Sequence, residues 1–246
     1  MRYLCVKITQ AMNEEPKYTY RYPRPAVATD CVIFGFDGRD LHILLIERGA
    51  EPFKGMWALP GGYMHPHESA EECARRELCE ETGIRQVYLE QFHTFSDPRR
   101  HPNDRVMTVA FYALVRKSDH AVIAGDDAAA ARWFLPDSLP PLAFDHDHII
   151  KYARRVLREH LKLRPLAFRL LDERFSMSEL QRLYELINGT TYDRRNFQRK
   201  VLSTGYLESC GTSDECVPNR RPNLFTFDNT RFKEDCDNSS YNPFDI

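Results

Sequence analysis

The amino-acid sequence predicts an α/β sandwich followed by a small domain of short helices that ends in a β-hairpin. Three observations predict this architecture. Strand patterns lie on both sides of a capped helix, and at residues 161–165 a helix ends and the sequence changes to short helices. The length of 246 residues is enough for two small domains, each with its own hydrophobic core. We expect an N-terminal extension at residues 1–22, the sandwich at 23–161, the small domain at 162–230 and a polar tail at 231–246.

The composition is that of an ordinary globular protein, with 42% hydrophobic and 28% charged residues. No apolar run approaches the roughly 20 residues that cross a bilayer, and residues 1–15 are too polar for a secretory signal. We therefore exclude a membrane protein and expect a cytoplasmic one. The net charge of −2 means that any surface for nucleic acid has to be local.

The seven cysteines form no CxxC pair and have no histidine at zinc-finger spacing. We expect most of them to be reduced and structural. Cys210 and Cys216 are close enough in sequence to bind a metal or crosslink, but they supply only half of a tetrahedral zinc site.

The first predicted elements are two strands at residues 26–36 and 41–48, both apolar and rich in β-branched side chains. Between them lies Asp37-Gly38-Arg39-Asp40, whose Asp-Gly pair is typical of hairpins. Residues 56–64 (MWALPGGYM) predict a further short strand that enters a glycine turn.

A helix is predicted between Ser69, which forms a capping-box pattern with Glu72, and Gly83, where helices favour a left-handed residue. Strands are predicted at 87–95 and 106–115, the second of them buried, and a helix at 145–161. Strands around helices in this order predict the sandwich.

The small domain contains a second capping box, Ser176 with Glu179, before a helix that stops at Asn188-Gly189. Another helix is predicted at 193–204. Three short helices and a hairpin are typical of a winged helix-turn-helix domain. The two predicted hairpin strands are residues 206–209 and 223–228.

Three glutamates lie close together on the first helix. On a helical wheel one stripe, which should be buried, contains Ala70, Cys73, Ala74, Glu77 and Glu81, with Glu80 at its edge. Glutamates at such i, i+3 and i+4 spacing repel one another unless a hard divalent cation lies between them. The alternative is a solvated acidic face paired with Arg75, Arg76 and Arg85.

The spacing around these glutamates decides between the two interpretations. After Gly62 come five residues and Glu68, then seven residues and Arg76, then ELCEETGI. This fills every defined position of the pattern GX5EX7REUXEEXGU, in which U is aliphatic. Residues 25–160 therefore resemble the Nudix hydrolases, which implies an α/β/α sandwich and cleavage, dependent on Mg²⁺ or Mn²⁺, of a nucleoside diphosphate linked to another moiety.

The resemblance also implies roles for residues of this chain. Glu77 and Glu81 would be the principal metal ligands and Glu80 a further ligand or base. Arg76 would orient these carboxylates, paired with Glu68. The bound metal would neutralise the diphosphate and lower the pKa of an attacking water. The glycines Gly61 and Gly62 would let the loop bend over the helix, with its backbone close to the site.

The substrate class rests on residues 92–115, which resemble the ADP-ribose pyrophosphatase branch, marked by a proline beyond the box. Pro98, fifteen residues after Gly83, stands at that place, although an ordinary loop proline is an equal alternative. Candidate phosphate contacts are Arg48, Arg99 and Arg100. Asp126 and Asp127 lie in a later loop where relatives place a catalytic carboxylate; the alternative is that they cap a turn.

The small domain carries a local excess of positive charge. Residues 164–205 hold eight Arg or Lys against five Asp or Glu. Candidate DNA contacts on the third helix are Arg194, Arg195, Asn196, Gln198, Arg199 and Lys200, and Arg220 and Arg221 lie in the expected wing. The alternative is a solvated basic helix in a domain that docks on the sandwich.

The order of the domains resembles the Nudix-related transcriptional regulators, in which a C-terminal winged helix binds operator DNA and the Nudix domain senses ADP-ribose or a sugar. It implies three partners: a nucleoside diphosphate sugar, double-stranded operator DNA and a second copy in a homodimer. Several such regulators have lost the glutamates that this chain retains. The alternatives are a sensor without turnover, and an enzyme whose second domain serves dimerisation or covers the substrate.

Overall fold

The computed structural model describes residues 21–22, 24–120, 122, 128–212 and 222–232. Five residues considered above lie outside these ranges: Asp126, Asp127, Cys216, Arg220 and Arg221. Among the described cysteines, four are free thiols, as expected: Cys31, Cys73, Cys79 and Cys210.

A seven-stranded mixed sheet forms the first domain. Its strands are β1 (Ala26–Phe36), β2 (Leu41–Arg48), β3 (Trp57–Ala58), β4 (Gly61–Tyr63), β5 (Glu90–Phe95), β6 (Val106–Arg116) and β7 (Ala128–Phe134). β1 is central, because it pairs in parallel with β6 and antiparallel with β2 and β4. β5 extends the sheet beyond β6, and β3 and β7 pair with β2.

One helix covers each face of this sheet: α1 (Ala70–Thr82) on one side and α2 (His146–Leu163) on the other. Successive side chains of a strand point to opposite faces. Accordingly, Ile33 packs in the cluster that contains Leu78 of α1, while Phe34 packs in the cluster that contains Ile149 of α2. The predicted α/β/α sandwich is confirmed.

The strands and helices follow the predicted pattern with local differences. β1 and β2 have the predicted bounds, but the strand expected at 87–95 begins only at Glu90. The short strand expected at 56–64 is divided into β3 and β4, because Pro60 between them has no N–H to continue a ladder. Helix α1 has its capping box and ends at Gly83 with φ 75°.

The buried face of α1 differs from the predicted stripe. It consists of Cys73, Ala74, Leu78, Glu81 and Thr82. Glu77 is only partly buried. The side of the helix that packs on the sheet carries Leu78 and Thr82 instead. The Thr82 hydroxyl is satisfied by donating to the Leu78 carbonyl over 2.6 Å.

The second domain is a winged helix, as predicted. A 3-10 turn (Leu166–Arg169) is followed by β8 (Phe175–Ser176), α3 (Met177–Asn188), α4 (Arg194–Ser203), β9 (Leu207–Thr212) and β10 (Asn223–Phe227). The two-residue strand β8 was not predicted; it completes the sheet β8-β10-β9. The first of the three expected helices is only this 3-10 turn.

The two domains share one continuous apolar core. Leu180 and Tyr184 of α3 belong to the same cluster of buried side chains as Phe36 and Leu41 of the sandwich. In addition, Arg158 of α2 donates to the Ile187 carbonyl over 2.8 Å. The winged helix is therefore packed against the sandwich, not tethered by a free linker.

Candidate functional site: Nudix glutamates and an exposed basic helix

Arg76 connects three of the box glutamates. Its Nη1 donates to Glu77 over 2.7 Å and to Glu80 over 3.1 Å. Nε and Nη2 donate to the two carboxylate oxygens of Glu68 over 3.0 and 2.6 Å. The guanidinium thus forms the pair with Glu68 that the sequence resemblance implied, and it lowers the pKa of Glu68 to about 2.

Glu81 is the most deeply placed glutamate of the box, with 9% of its surface exposed. The Gly61 N–H donates to its Oε2 over 2.8 Å. Burial nevertheless raises the pKa of Glu81 to about 8, and the negative charges of Glu77 and Asp30 act in the same direction. Removal of a carboxylate from water next to other negative charges favours its protonated form.

The two glycines of the loop are required by close approach. A Cβ on Gly62 would lie 2.3 Å from Oε1 of Glu77. A Cβ on Gly61 would lie 2.0 Å from the Thr29 carbonyl oxygen of β1. At Gly61 the loop can therefore pass β1 only without a side chain, and at Gly62 a side chain would displace Glu77; both agree with the expectation of a backbone close to the site.

The donor chemistry fits a hard divalent cation, since such ions take carboxylate oxygens. The glutamates are not gathered as a finished cage, however: within the described ranges no three His, Cys, Asp or Glu side chains are arranged to hold a metal ion. Glu77 and Glu80 are instead held by Arg76, while Glu81 faces Gly61. A bound cation would have to share these carboxylates with Arg76.

A cavity of about 410 Å³ opens beside the glycine loop. Its lining includes Gly61, Gly62 and Tyr63 of the loop and Arg48 at the end of β2. Arg48 donates from Nε to the Pro52 carbonyl over 2.9 Å, and its guanidinium carbon lies 4.8 Å from the centre of the Phe144 ring. Of the three arginines expected to contact phosphate, Arg48 and Arg100 line this cavity.

A buried network of charges, whose pairing the sequence did not predict, contributes Asp30, Arg100 and His146 to the wall of the cavity. Arg100 donates to Asp30 over 3.2 Å and, from two nitrogens, to Asp145 over 3.1 and 2.9 Å. His146 Nε2 lies 3.4 Å from Asp30. One signal was present: Asp30 interrupts an otherwise apolar buried strand. Its partners come from distant segments, and no local pattern indicates them.

Arg99 and Arg100, adjacent in sequence, lie in different surroundings. The Arg100 side chain is 5% exposed and is held by the network, whereas the Arg99 side chain is 91% exposed and pairs with Asp97. Arg100 lines the cavity beside the loop, and both arginines line a second cavity of about 660 Å³ with His93, His148 and Asp145.

Helix α4 presents a basic surface to solvent. The Asp193 carboxylate caps it by accepting from the Asn196 N–H over 2.9 Å. Phe197 and Val201 are buried beneath the helix. Its exposed residues include Arg194, Arg195, Asn196, Arg199 and Lys200, whereas Gln198 is half-buried.

Two polar side chains on the exposed face of α4 are hydrogen-bonded to each other. Arg199 Nη2 donates to Oδ1 of Asn196 over 2.9 Å. This contact leaves the Asn196 amide nitrogen as the donor on the exposed face. A helix of this kind, cationic with an oriented amide, has the chemistry of a DNA recognition helix.

These two sites define a Nudix domain joined to a winged helix. The NUDIX domain family model matches residues 24–172, and the model of the NrtR DNA-binding winged helix domain matches residues 167–227. The chain belongs to the Nudix family, in the group that carries this winged helix. None of the helices in the described residues is long and apolar enough to cross a membrane.

Two curated relatives match different lengths of the chain. The ADPR responsive transcriptional repressor NtrR of Acinetobacter baylyi is 32% identical over 204 residues, which cover 82% of this chain and 81% of the relative. The ADP-ribose pyrophosphatase of Methanocaldococcus jannaschii is 42% identical over 130 residues, which cover 53% of this chain and 73% of that enzyme.

Solved structures of Shewanella oneidensis NrtR are also similar. The structure with a 27mer DNA has a TM-score of 0.67 and 28% identity, covering 82% of this chain and 93% of that chain. The Nudix domain in complex with ADP ribose has a TM-score of 0.52 and 31% identity, covering 55% of this chain and 90% of that chain.

Proposed function

We propose that this protein is an ADP-ribose-responsive transcriptional repressor. Its winged helix binds operator DNA, and its Nudix domain binds ADP-ribose or a closely related nucleoside diphosphate sugar. The observation that carries the proposal is the combination, in one chain, of a cavity beside the glycine loop of the Nudix pattern with an exposed basic helix. The similarity to the Acinetobacter baylyi repressor, which extends over both domains, supports it.

On the DNA side, α4 enters the major groove. Arg194, Arg195 and Lys200 contact phosphates, and Asn196, Gln198 and Arg199 face base edges. Arg220 and Arg221, which lie between β9 and β10 in the sequence, would contact the phosphates of the DNA backbone. A homodimer presents two such helices to the two halves of a palindromic operator.

On the ligand side, Glu77, Glu80 and Glu81 would hold Mg²⁺ or Mn²⁺. The cation would supply positive charge against the diphosphate and lower the pKa of an attacking water. Arg76 orients the glutamates through the hydrogen bonds described above. Arg48, which lines the cavity, pairs with phosphate oxygens, and Arg99 reaches the ligand only if its pairing with Asp97 opens.

A second function, hydrolysis of the ligand, is favoured by one specific observation: every defined position of the Nudix pattern is filled. The identity of 42% with an ADP-ribose pyrophosphatase supports this activity. Hydrolysis to AMP and ribose 5-phosphate would destroy the effector, so the enzyme would set the duration of its own response.

The DNA-binding role is tested by selecting binding sites from a random pool of double-stranded oligonucleotides. Replacing Arg194, Arg195 and Arg199 by alanine should abolish binding to the selected site. The matched control replaces Lys54, Arg85 and Lys162, which are exposed on the first domain, and should retain sequence-specific binding. An equal loss of DNA binding in both variants would show that α4 contributes only non-specific positive charge.

The ligand role is tested by adding ADP-ribose to the protein–DNA complex and measuring the change in DNA affinity. Turnover is measured separately with ADP-ribose and Mg²⁺, with Glu81→Gln as the inactive control. Product that depends on Glu81 supports the enzyme. Ligand binding that changes DNA affinity without product would leave a sensor alone, and no binding of ADP-ribose would refute the proposed ligand.

A further inference from the structure

Asp30 is a carboxylate in the interior of the central strand β1, and 9% of its side chain is exposed. Burial of an ionised carboxylate is costly unless it is paired and hydrogen-bonded. Such a residue needs a structural or functional reason, and neither the Nudix pattern nor the winged helix supplies one. Its position is informative, because Asp30 lies opposite Gly61 in the sheet register.

The two oxygens of Asp30 are held by different partners. Oδ2 accepts from Arg100 over 3.2 Å, and Oδ1 lies 3.4 Å from His146 Nε2. Since His146 Nδ1 accepts from the Leu59 N–H over 2.8 Å, its ring hydrogen resides on Nε2 and faces Asp30. The carboxylate is thereby fixed in orientation. An ionised carboxylate has about four acceptor positions, so at least one per oxygen remains for a ligand.

The charges around Asp30 determine which kind of ligand group can bind to the free acceptor positions of its carboxylate. Asp30, Arg100 and His146 all line the cavity beside the glycine loop. Arg100 is shared with Asp145, which lines the second cavity, so two carboxylates compete for one cation. This part of the cavity wall therefore accepts hydrogen bonds and carries an excess of negative charge. It repels phosphate and favours neutral hydroxyl donors, while Arg48 offers the positive charge for phosphate elsewhere in the same cavity.

We propose that Asp30, positioned by Arg100 and His146, binds the vicinal diol of a ribose in this cavity. Two adjacent hydroxyls are a matched pair of donors for one carboxylate, as in dinucleotide sites where an acidic residue binds the ribose. This inference rests on the proposed binding of an ADP-ribose-like ligand. It assigns Asp30 the selection of ribose over deoxyribose, a role that the Nudix glutamates do not have.

The test is calorimetric binding of ADP-ribose and of two analogues that lack one hydroxyl, on the adenosine ribose or on the terminal ribose. Calcium replaces magnesium to prevent turnover. The unaltered protein should bind one of the analogues at least about tenfold more weakly, because a buried acceptor loses its donor. The analogue affected identifies the ribose that Asp30 binds.

Asp30→Asn should remove most of that preference. Asp145→Asn is the matched control, since it also takes a carboxylate from Arg100 but lines the other cavity; it should retain the preference. If Asp30→Asn folds poorly, the variant Asp30→Asn with Arg100→Gln removes both charges of the pair and should give the same result.

Each outcome has a distinct meaning. Equal affinity of the unaltered protein for ADP-ribose and both analogues would overturn the role of Asp30 and leave the proposed function intact. Preservation of the preference in the Asp30 variants would do the same. Failure of the unaltered protein to bind ADP-ribose would refute the ligand of the proposed function, and with it the inference.

Discussion

The Arg182 guanidinium of α3 lies 3.2 Å from the Asp40 carboxylate in the turn between β1 and β2. Arg182 also donates from Nε to the Arg39 carbonyl over 3.1 Å. The winged helix is thus attached to one end of β2, and the other end carries Arg48 at the cavity. The strand physically connects the ligand cavity with the DNA-binding domain.

The Arg182–Asp40 pair should contribute little to global stability. Its side chains are 47% and 33% exposed, and exposed ion pairs contribute about 1 kcal/mol or less. A double-mutant cycle with Arg182→Ala and Asp40→Ala, followed by urea unfolding, measures the coupling. A coupling above about 2 kcal/mol would contradict this expectation and indicate that the domains depend on the contact.

The two loop glycines should respond differently to alanine. Gly61→Ala places a Cβ against the rigid Thr29 carbonyl, so we expect a loss of about 1–3 kcal/mol in the free energy of unfolding. Gly62→Ala instead meets the movable Glu77 side chain. It should preserve most of the stability and weaken Mn²⁺ binding. Unfolding and metal titrations on both variants check this, and equal effects on stability would contradict it.

Arg76 should control the affinity of the site for metal. Arg76→Ala removes the group that orients Glu68, Glu77 and Glu80, and loss of such an orienting partner weakens metal binding by about 10- to 100-fold. The matched control is Arg75→Ala, since Arg75 pairs with Glu71 and donates to the Val87 carbonyl instead. Calorimetry with Mn²⁺ should separate the two variants. A gain in affinity for Arg76→Ala would show that Arg76 acts chiefly as a competitor of the cation.

Stability without metal should fall as the pH rises. Burial raises the pKa of Glu81 in the folded protein from its ordinary 4.5 to about 8. Between these pH values the folded state keeps a proton that the unfolded state releases, so increasing pH destabilises the fold. Glu81→Gln, which stays neutral, should lose less stability over this window.

The measurement is thermal unfolding in EDTA at about pH 5, near the lower end of the window in which linkage acts, and at about pH 8.5, just above its upper end. Glu80→Gln is the matched control, since the Glu80 side chain is 57% exposed. The gap in Tm between Glu81→Gln and the unaltered protein should widen at the higher pH. A gap independent of pH would show that Glu81 is ionised in the folded protein throughout.

The sequence by itself determined the elements that depend on local patterns. Capping boxes at Ser69 and Ser176, the continuous apolar and β-branched run of β1 and the spacing from Gly62 to Ile84 lie within short segments, where hydrogen bonding and side-chain preference act directly. These patterns were sufficient for the sandwich, the winged helix and the family.

Only the tertiary structure decided which distant residues meet. Asp30, Arg100 and His146 come from a strand, a loop and a helix, and their contact depends on the packing of β1 against both layers. The same packing rotates the buried face of α1 away from Glu77 and pairs β8 with β10. The spacing of apolar residues along a helix or strand specifies which face of that element a side chain occupies. The distant side chain that it contacts depends on how all the elements pack to bury the core.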